Sequence, residues 1–267
     1  MEEYYLICED SLEGIFTGIY NAYLKKKPRE QIHLCLGEEE NYRLFAVYEP
    51  CPPDKVKAAK VAGTVLREFG HEAYMAICRA LASEEADKAE ADYRSREKAD
   101  YIYRTVAAGL SMKNKRQVMG NLQNPYIHRV FELARFTANE AHYHVEFLRF
   151  RELENGILYA PVGPKNNLIT FIVPHFADRL PLENFVIHDK IRSIFALHPA
   201  GKDWYLVYGD ENLRQEKMVL SEGENKYREL FTHFFHTIPV EERKNKGLQR
   251  NMLPLRYRDY MTEFQGE

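Results

Sequence analysis

Residues 139–192 read NEAHYHVEFLRFRELENGILYAPVGPKNNLITFIVPHFADRLPLENFVIHDKIR. Glu140, His142, His144, Arg149, Arg151, His175, Asp178, Arg179, Asp189 and Arg192 are embedded here among Phe, Leu, Ile and Val instead of lying along a polar face. Asn155-Gly156 sets the reading, because this dipeptide favours a two-residue hairpin turn. That register pairs Arg151 with Ala160 and Arg149 with Val162, so both arginines share a sheet face with Leu153, Leu158, Ala160 and Val162. A guanidinium cannot shed its charge on burial. Such a face therefore needs water, a carboxylate (Glu140, Asp178 or Asp189) or an anionic ligand such as phosphate, whose oxygens suit a planar five-donor group.

Just before the hairpin the local signals conflict. Helical spacing puts Glu140 and His144 on one face, whereas an extended chain puts His142 beside His144. Beyond it, Pro174 to Arg179 reads as a short helix after the apolar run Leu168–Val173, with His175 and Arg179 sharing a face. Phe185–Asp189, Ile191–His198 and Trp204–Tyr208 read as strands. A helix from Asn225 to Thr237 has a broad apolar face (Tyr227, Leu230, Phe231, Phe234, Phe235, Ile238) that is expected to cover one side of the sheet. The expected fold class is α+β: an antiparallel sheet of about five strands, in the order strand-strand-helix-strand-strand-strand-helix, packed with a largely helical N-terminal half.

In that N-terminal half, Tyr4–Cys8 is a strand candidate and a helix follows to about Leu24, with Asp10 as its cap and Glu13 completing a capping box. Tyr42–Tyr48 is a second strand candidate. Pro50-Cys51-Pro52-Pro53-Asp54 breaks the chain before a helix near Lys55, and Gly70 separates Val56–Phe69 from His71–Leu81. A third helix turns Tyr101, Ile102, Val106 and Leu110 inward. Asn124-Pro125 caps a further helix striped by Ile127, Val130, Phe131, Ala134, Ala138 and Ala141. The expected division is a strand/helix lobe over 1–120, the α+β lobe over 121–240, and a basic tail over 241–267 packed on the body, with Arg243, Lys244, Lys246, Arg250, Arg256 and Arg258.

Composition narrows the function classes. A net charge of -3 over 267 residues gives no global basic field, so nucleic acid would have to be met by a local patch. Cys8, Cys35, Cys51 and Cys78 have no ligand-pair spacing, which fits reduced thiols better than a disulfide framework or a zinc site. The acidic N-terminus lacks the features of a secretion signal and no run approaches a membrane span, so the protein is expected in the cytoplasm and away from membranes. There is no phosphate-binding GxxxxGK[ST] loop, no GxGxxG and no nucleophile elbow. The histidines are too dispersed for a specific metal motif, so neither cofactor nor metal is expected.

The stretches YYLICEDSLEGIFTGIYNAY (4–23), NEAHYHVEFLRFREL (139–153), GILYAPV (156–162), HFADR (175–179), IHDKIR (187–192) and ERKNKGLQRNMLPLRYRDYMTEF (242–264) together resemble a bacterial family of DNA metabolism proteins. This is a domain of unknown function, encoded beside a radical-SAM protein of DNA modification or repair and also found fused to uracil-DNA-glycosylase-like domains. Glu140, His142, Arg149, His175, Phe176, Arg179, Asp189, Arg192, Arg250, Pro254 and Arg256 match the family pattern. Arg258 departs from it, standing where relatives often have an aromatic residue.

The resemblance implies a role in nucleic-acid metabolism with a radical-SAM protein as partner. Radical chemistry would belong to that partner, since this chain has no closely spaced cysteine triplet for an iron-sulfur cluster. The leading expectation is an accessory nucleic-acid-binding protein, DNA first, with Arg149, Arg151, Arg179, Arg192, Arg250 and Arg256 on phosphates and Phe176, Asp178 and Asp189 in positioning roles. One alternative is an enzyme acting on nucleic acid or nucleotide through Glu140, His142 and His175. The other is a scaffold that docks the partner through aromatics around Tyr143, Phe147 and Trp204.

Overall fold

The computed structural model describes residues 2–36, 44–84, 98–209, 219–238 and 245–264. The chain forms two compact units, Met1–Ala138 and Asn139–Glu267.

Unit one begins with β1 (Glu3–Cys8), α1 (Leu12–Leu24), β2 (Ile32–Leu36) and β3 (Ala46–Cys51). Helices α2 (Lys55–Phe69), α3 (His71–Leu81), α4 (Lys98–Ser111) and the first turns of α5 (Pro125–Phe147) follow. The strands make a parallel sheet in the order β2-β1-β3. The sequence reading missed β2 and set β3 too early; Tyr42 and Arg43 of that expected strand lie outside the described residues. β3 runs through Pro50, which an edge strand tolerates because one side of its ladder is unpaired.

Ser11, not Asp10, caps α1: its Oγ accepts from Gly14 N at 2.9 Å, while Asp10 is used in an ion pair with Lys98 Nζ at 2.8 Å. Asp54 Oδ1 accepts from Val56 N and Lys57 N to start α2. Gly70, at φ +87, ends it and opens α3, a left-handed conformation that a Cβ would strain. The core is built from Phe16, Ile19, Leu34, Val65, Ile77, Ile102, Ile127 and Leu133 among others.

Unit two takes α5 from Asn139 onward, then β4 (Arg151–Glu152), β5 (Leu158–Val162), α6 (Ile169–Arg179), β6 (Phe185–Asp189), β7 (Ile194–His198) and β8 (Tyr205–Tyr208). Helices α7 (Glu222–Thr237), α8 (Lys246–Met252) and α9 (Leu255–Arg258) and a 3-10 turn at Thr262–Phe264 complete it. The five strands lie in sequence order, but the sheet is mixed, not antiparallel: β5 and β6 are parallel and the other pairs antiparallel. The cause is α6, which carries the chain back along the sheet so that β6 starts at the same end as β5. α6 also starts earlier than expected, taking up Ile169–Val173 and holding Pro174 inside it.

The hairpin register also differs from the expected one. Arg151 pairs with Tyr159 and Glu152 with Leu158, and Leu153 N donates to Ile157 O at 2.9 Å. The loop is thus three residues, Glu154-Asn155-Gly156, with Gly156 at φ +77 in the left-handed position that such loops require. One residue of slip reverses the faces. Arg151 and Tyr159 therefore lie on the face opposite Ala160 and Val162, which point with Phe185, Ile187, Ile194 and Ala196 at Ile169, Ile172, Val173 and Phe176 of α6. Arg149 lies before the strand, just after α5. The helix expected to cover the sheet does not do so: Tyr227, Leu230, Phe231, Phe234 and Ile238 of α7 are exposed, and α7 meets the tail through Phe235 against Phe264 at 5.2 Å.

Candidate functional site

Two loops follow the carboxyl ends of the parallel pair, residues 163–167 after β5 and 190–193 after β6, where Val162 and Asp189 are partners in register. Carboxyl ends of adjacent parallel strands are the usual place for ligands in sheets with helical crossovers, because the connections there diverge. Asn166, Asp189 and Arg192 lie at this end, joined there by Glu140.

α5 supplies the first of them. The chain is helical through Ala141–Val145, which settles the conflict in favour of Glu140 and His144 on one face. His142 points elsewhere, exposed, with Nε2 3.2 Å from Glu146 Oε1. Glu140 is only 4% exposed, and its carboxylate accepts from Lys165 N at 2.9 Å, Asn166 N at 3.0 Å and Asn166 Nδ2 at 2.6 Å. It thereby pins the loop after β5 to the helix. His144, one turn on, is 5% exposed and meets the Tyr257 ring edge-on at 5.0 Å. Burial lowers its pKa to about 4 against the opposing pull of Glu140, so the ring is neutral at pH 7. Its Nε2 has no hydrogen-bond partner among the described residues.

The two loops are tied together by Asp189 and Arg192. Asp189 is fully buried; its Oδ1 accepts from Ile191 N and Arg192 N, shaping the turn after β6. Arg192 Nη1 donates to Asp189 Oδ2 and to Pro164 O, both at 3.1 Å, and Nη2 donates to Lys165 O.

The tail closes the site. Arg256 lies over the Tyr257 ring, 4.8 Å from its centroid, and donates through Nη2 to Tyr257 Oη at 2.7 Å. Arg256 Nη1 is 3.6 Å from Glu140 Oε1, beyond hydrogen-bond length, and its side chain is 43% exposed. Arg149 is taken by the tail's buried Glu263 at 2.9 Å. Arg151 donates to Tyr260 O at 3.3 Å, and burial followed by the Arg228 charge lowers its pKa. The Tyr260 ring packs directly on Gly163, where an added Cβ would come within 2.5 Å of Tyr260 Oη.

None of the three carboxylates expected to pair with Arg149 or Arg151 does so: Asp189 pairs with Arg192, Glu140 lies 3.6 Å from Arg256, and Asp178 is exposed on α6. His175 and Arg179 are exposed on the same helix, and Phe176 is a core residue against Phe150 at 5.3 Å. Because α6 runs back along the sheet, Arg179 sits at the end away from Asp189. Arg250 is exposed on α8; Arg243 and Lys244 lie outside the described residues. Glu140, His142 and His175 are not brought together. Among the described residues no group of three or more His, Cys, Asp or Glu is placed to hold a metal ion, and no helix is long and apolar enough to cross a membrane.

A family model described as a domain of unknown function, DUF4130, matches residues 96–263. The chain belongs to the DUF4130 family. No curated protein matches it. The DUF4130 match takes in every residue of the cluster, from Glu140 through Asn166, Asp189 and Arg192 to Arg256, and its last residue is Glu263, the partner of Arg149. The sheet of unit one precedes it. Lys165, Asn166, Tyr260 and Glu263 were missed in the sequence, whereas Glu140, Asp189, Arg192 and Arg256 of the cluster were among the expected residues.

Proposed function

We propose that this DUF4130 protein is an accessory nucleic-acid-binding protein of DNA metabolism or repair that works with a radical-SAM partner. The observation that carries this reading is Arg256. Its guanidinium is half exposed, braced from behind by Tyr257, and set beside a carboxylate already occupied by three N–H donors. A partly exposed planar cation of this kind suits phosphate oxygens. Lys165 and Lys190, exposed on the two loops, and Arg250 on α8 extend the positive charge. Arg149, Arg151 and Arg192 spend their donors inside the fold, so in this proposal they shape the surface and do not touch the nucleic acid. Arg179, at the other end of the sheet, also drops out.

The test is fluorescence anisotropy with labelled DNA at low salt. Arg256→Ala is expected to weaken binding and Arg179→Ala to leave it unchanged. Absence of binding at low salt would sink the proposal.

The partner would dock on α7, where Tyr227, Leu230, Phe231 and Phe234 form an exposed apolar stripe larger than a lone surface residue. Tyr143, Phe147 and Trp204 are half-buried packing residues and serve this less well. Leu230→Asp with Phe234→Asp should abolish co-purification with a co-expressed radical-SAM partner. An enzymatic reading has one observation in its favour, the buried, neutral His144 with an unpartnered Nε2. It expects His144→Ala to lose turnover on a nucleic acid while keeping affinity.

A further inference from the structure

We propose that Cys51 and Cys8 in unit one form a peroxide-reactive thiol pair, with Cys51 as the attacking sulfur and Cys8 as the one that resolves it into a reversible disulfide. The two residues are direct partners in the parallel register of β1 and β3, so their side chains leave the same face of the sheet. Adjacent strands lie about 4.8 Å apart, inside the Cα separation of roughly 4.4–6.8 Å that a disulfide spans. None of the four cysteines is in a disulfide in this structure.

The surroundings single out Cys51. Asn21 Nδ2 donates to its Sγ at 3.1 Å, and Lys57 Nζ donates to Asn21 Oδ1 at 3.0 Å. The lysine occupies the amide oxygen and so turns the amide N–H toward sulfur, which brings an ammonium charge to bear through one intervening group. A thiolate accepts such a bond far better than a thiol does. The Cys51 pKa is lowered to about 7, first by hydrogen bonding from Cys8, against the effect of burial, with Asn21 and Lys57 adding to the lowering. Cys51 is itself buried, at the end of β3, and Pro52 and Pro53 immediately after it are exposed. The other two thiols differ. Cys35 is in register with Ile7 and faces away from Cys8, and burial raises the Cys78 pKa.

The chemistry balances in two steps. The Cys51 thiolate attacks one oxygen of hydrogen peroxide; an S–O bond forms, the O–O bond breaks, and the departing hydroxide takes a proton to become water. The Cys8 thiol then attacks the sulfenic sulfur; the S–S bond forms, the S–O bond breaks, and the hydroxyl leaves with the Cys8 proton as a second water. Each thiol sulfur has then lost one electron and the peroxide has been reduced to water. A dithiol reverses the result.

The experiment treats the reduced 267-residue chain with hydrogen peroxide and maps peptides without reduction. A Cys8–Cys51 peptide that disappears with dithiothreitol is expected, and Cys8→Ser should instead give a dimedone-trapped sulfenic acid at Cys51. A measurement on the unmodified chain guards against a variant that fails to fold: iodoacetamide should label Cys51 at pH 7 ahead of Cys35 and Cys78. In Asn21→Ala that rate should fall severalfold, because one of the groups that lower the thiol pKa is lost while the Cys8 hydrogen bond remains. Absence of the cross-linked peptide, or labelling of Cys51 no faster than of Cys78, would overturn the proposal.

Discussion

Replacing Glu140 with alanine tests the link between α5 and the loop after β5. The carboxylate is 4% exposed and accepts three hydrogen bonds, two from the backbone of Lys165 and Asn166 and one from the Asn166 side chain. Bonds to a charged acceptor are worth about 1.5–3 kcal/mol each. Their loss is not additive, because the loop relaxes and water enters, so the expected cost is about 3–5 kcal/mol. For a unit of this size that is a fall in Tm of roughly 8–15 °C. The protein carries a built-in reporter, since its single tryptophan, Trp204, packs on the core of unit two. Urea unfolding followed by Trp204 fluorescence therefore reads unit two. Glu140→Gln keeps an acceptor and should cost less. Glu146→Ala, one and a half turns away on the exposed face with His142, should cost under about 1 kcal/mol. A Glu140→Ala protein within about 1 kcal/mol of wild type would refute the reasoning.

Three other outcomes are expected. His144 is held neutral with a pKa of about 4, below its ordinary 6.5, so its contribution is complete above pH 6.5 and is lost as pH falls toward 4. Between about pH 7.5 and 4.5 wild type should lose about 2–3 kcal/mol more than His144→Gln in urea titrations. Gly163→Ala forces a Cβ against the Tyr260 ring and should cost about 1–3 kcal/mol; thermal melts should show most of that restored in a Tyr260→Ala background. Arg149→Ala strands the buried Glu263 carboxylate, and calorimetry should show unit two destabilised by about 2–4 kcal/mol, with DNA affinity of the folded fraction unchanged.

Legibility in the sequence followed the range of the interactions involved. Breaks set by local chemistry were readable: Gly70 between α2 and α3, the Asn124-Pro125 start of α5, the Pro-rich break before α2. So was the mixed helix and sheet content. The direction of β6 was not, because strand periodicity is the same in parallel and antiparallel sheets and only the path of α6 decides between them. The hairpin register failed by one residue because Asn-Gly serves both two-residue turns and the left-handed end of a three-residue loop. The carboxylates expected for Arg149 and Arg151 were the wrong ones: Asp189 is taken by Arg192 and Glu140 by the backbone of Lys165 and Asn166. Arg149 found its acid in Glu263, 114 positions away, a pairing that no local pattern encodes. Likewise Asn166 became a site residue only because Glu140 reaches across to its backbone.

The central claim is that Arg256, with Arg250 on α8, meets phosphate while the internally paired arginines hold the surface in shape. Its most direct test is the salt dependence of DNA binding, as the slope of log K against log salt concentration, for wild type and for the Arg250→Ala, Arg256→Ala double variant. Each phosphate contact contributes about 0.9 to the slope on duplex DNA, so the double variant should have a slope shallower by about 2 with unchanged stability. An unchanged slope, or no binding by wild type at about 50 mM salt, would contradict the account.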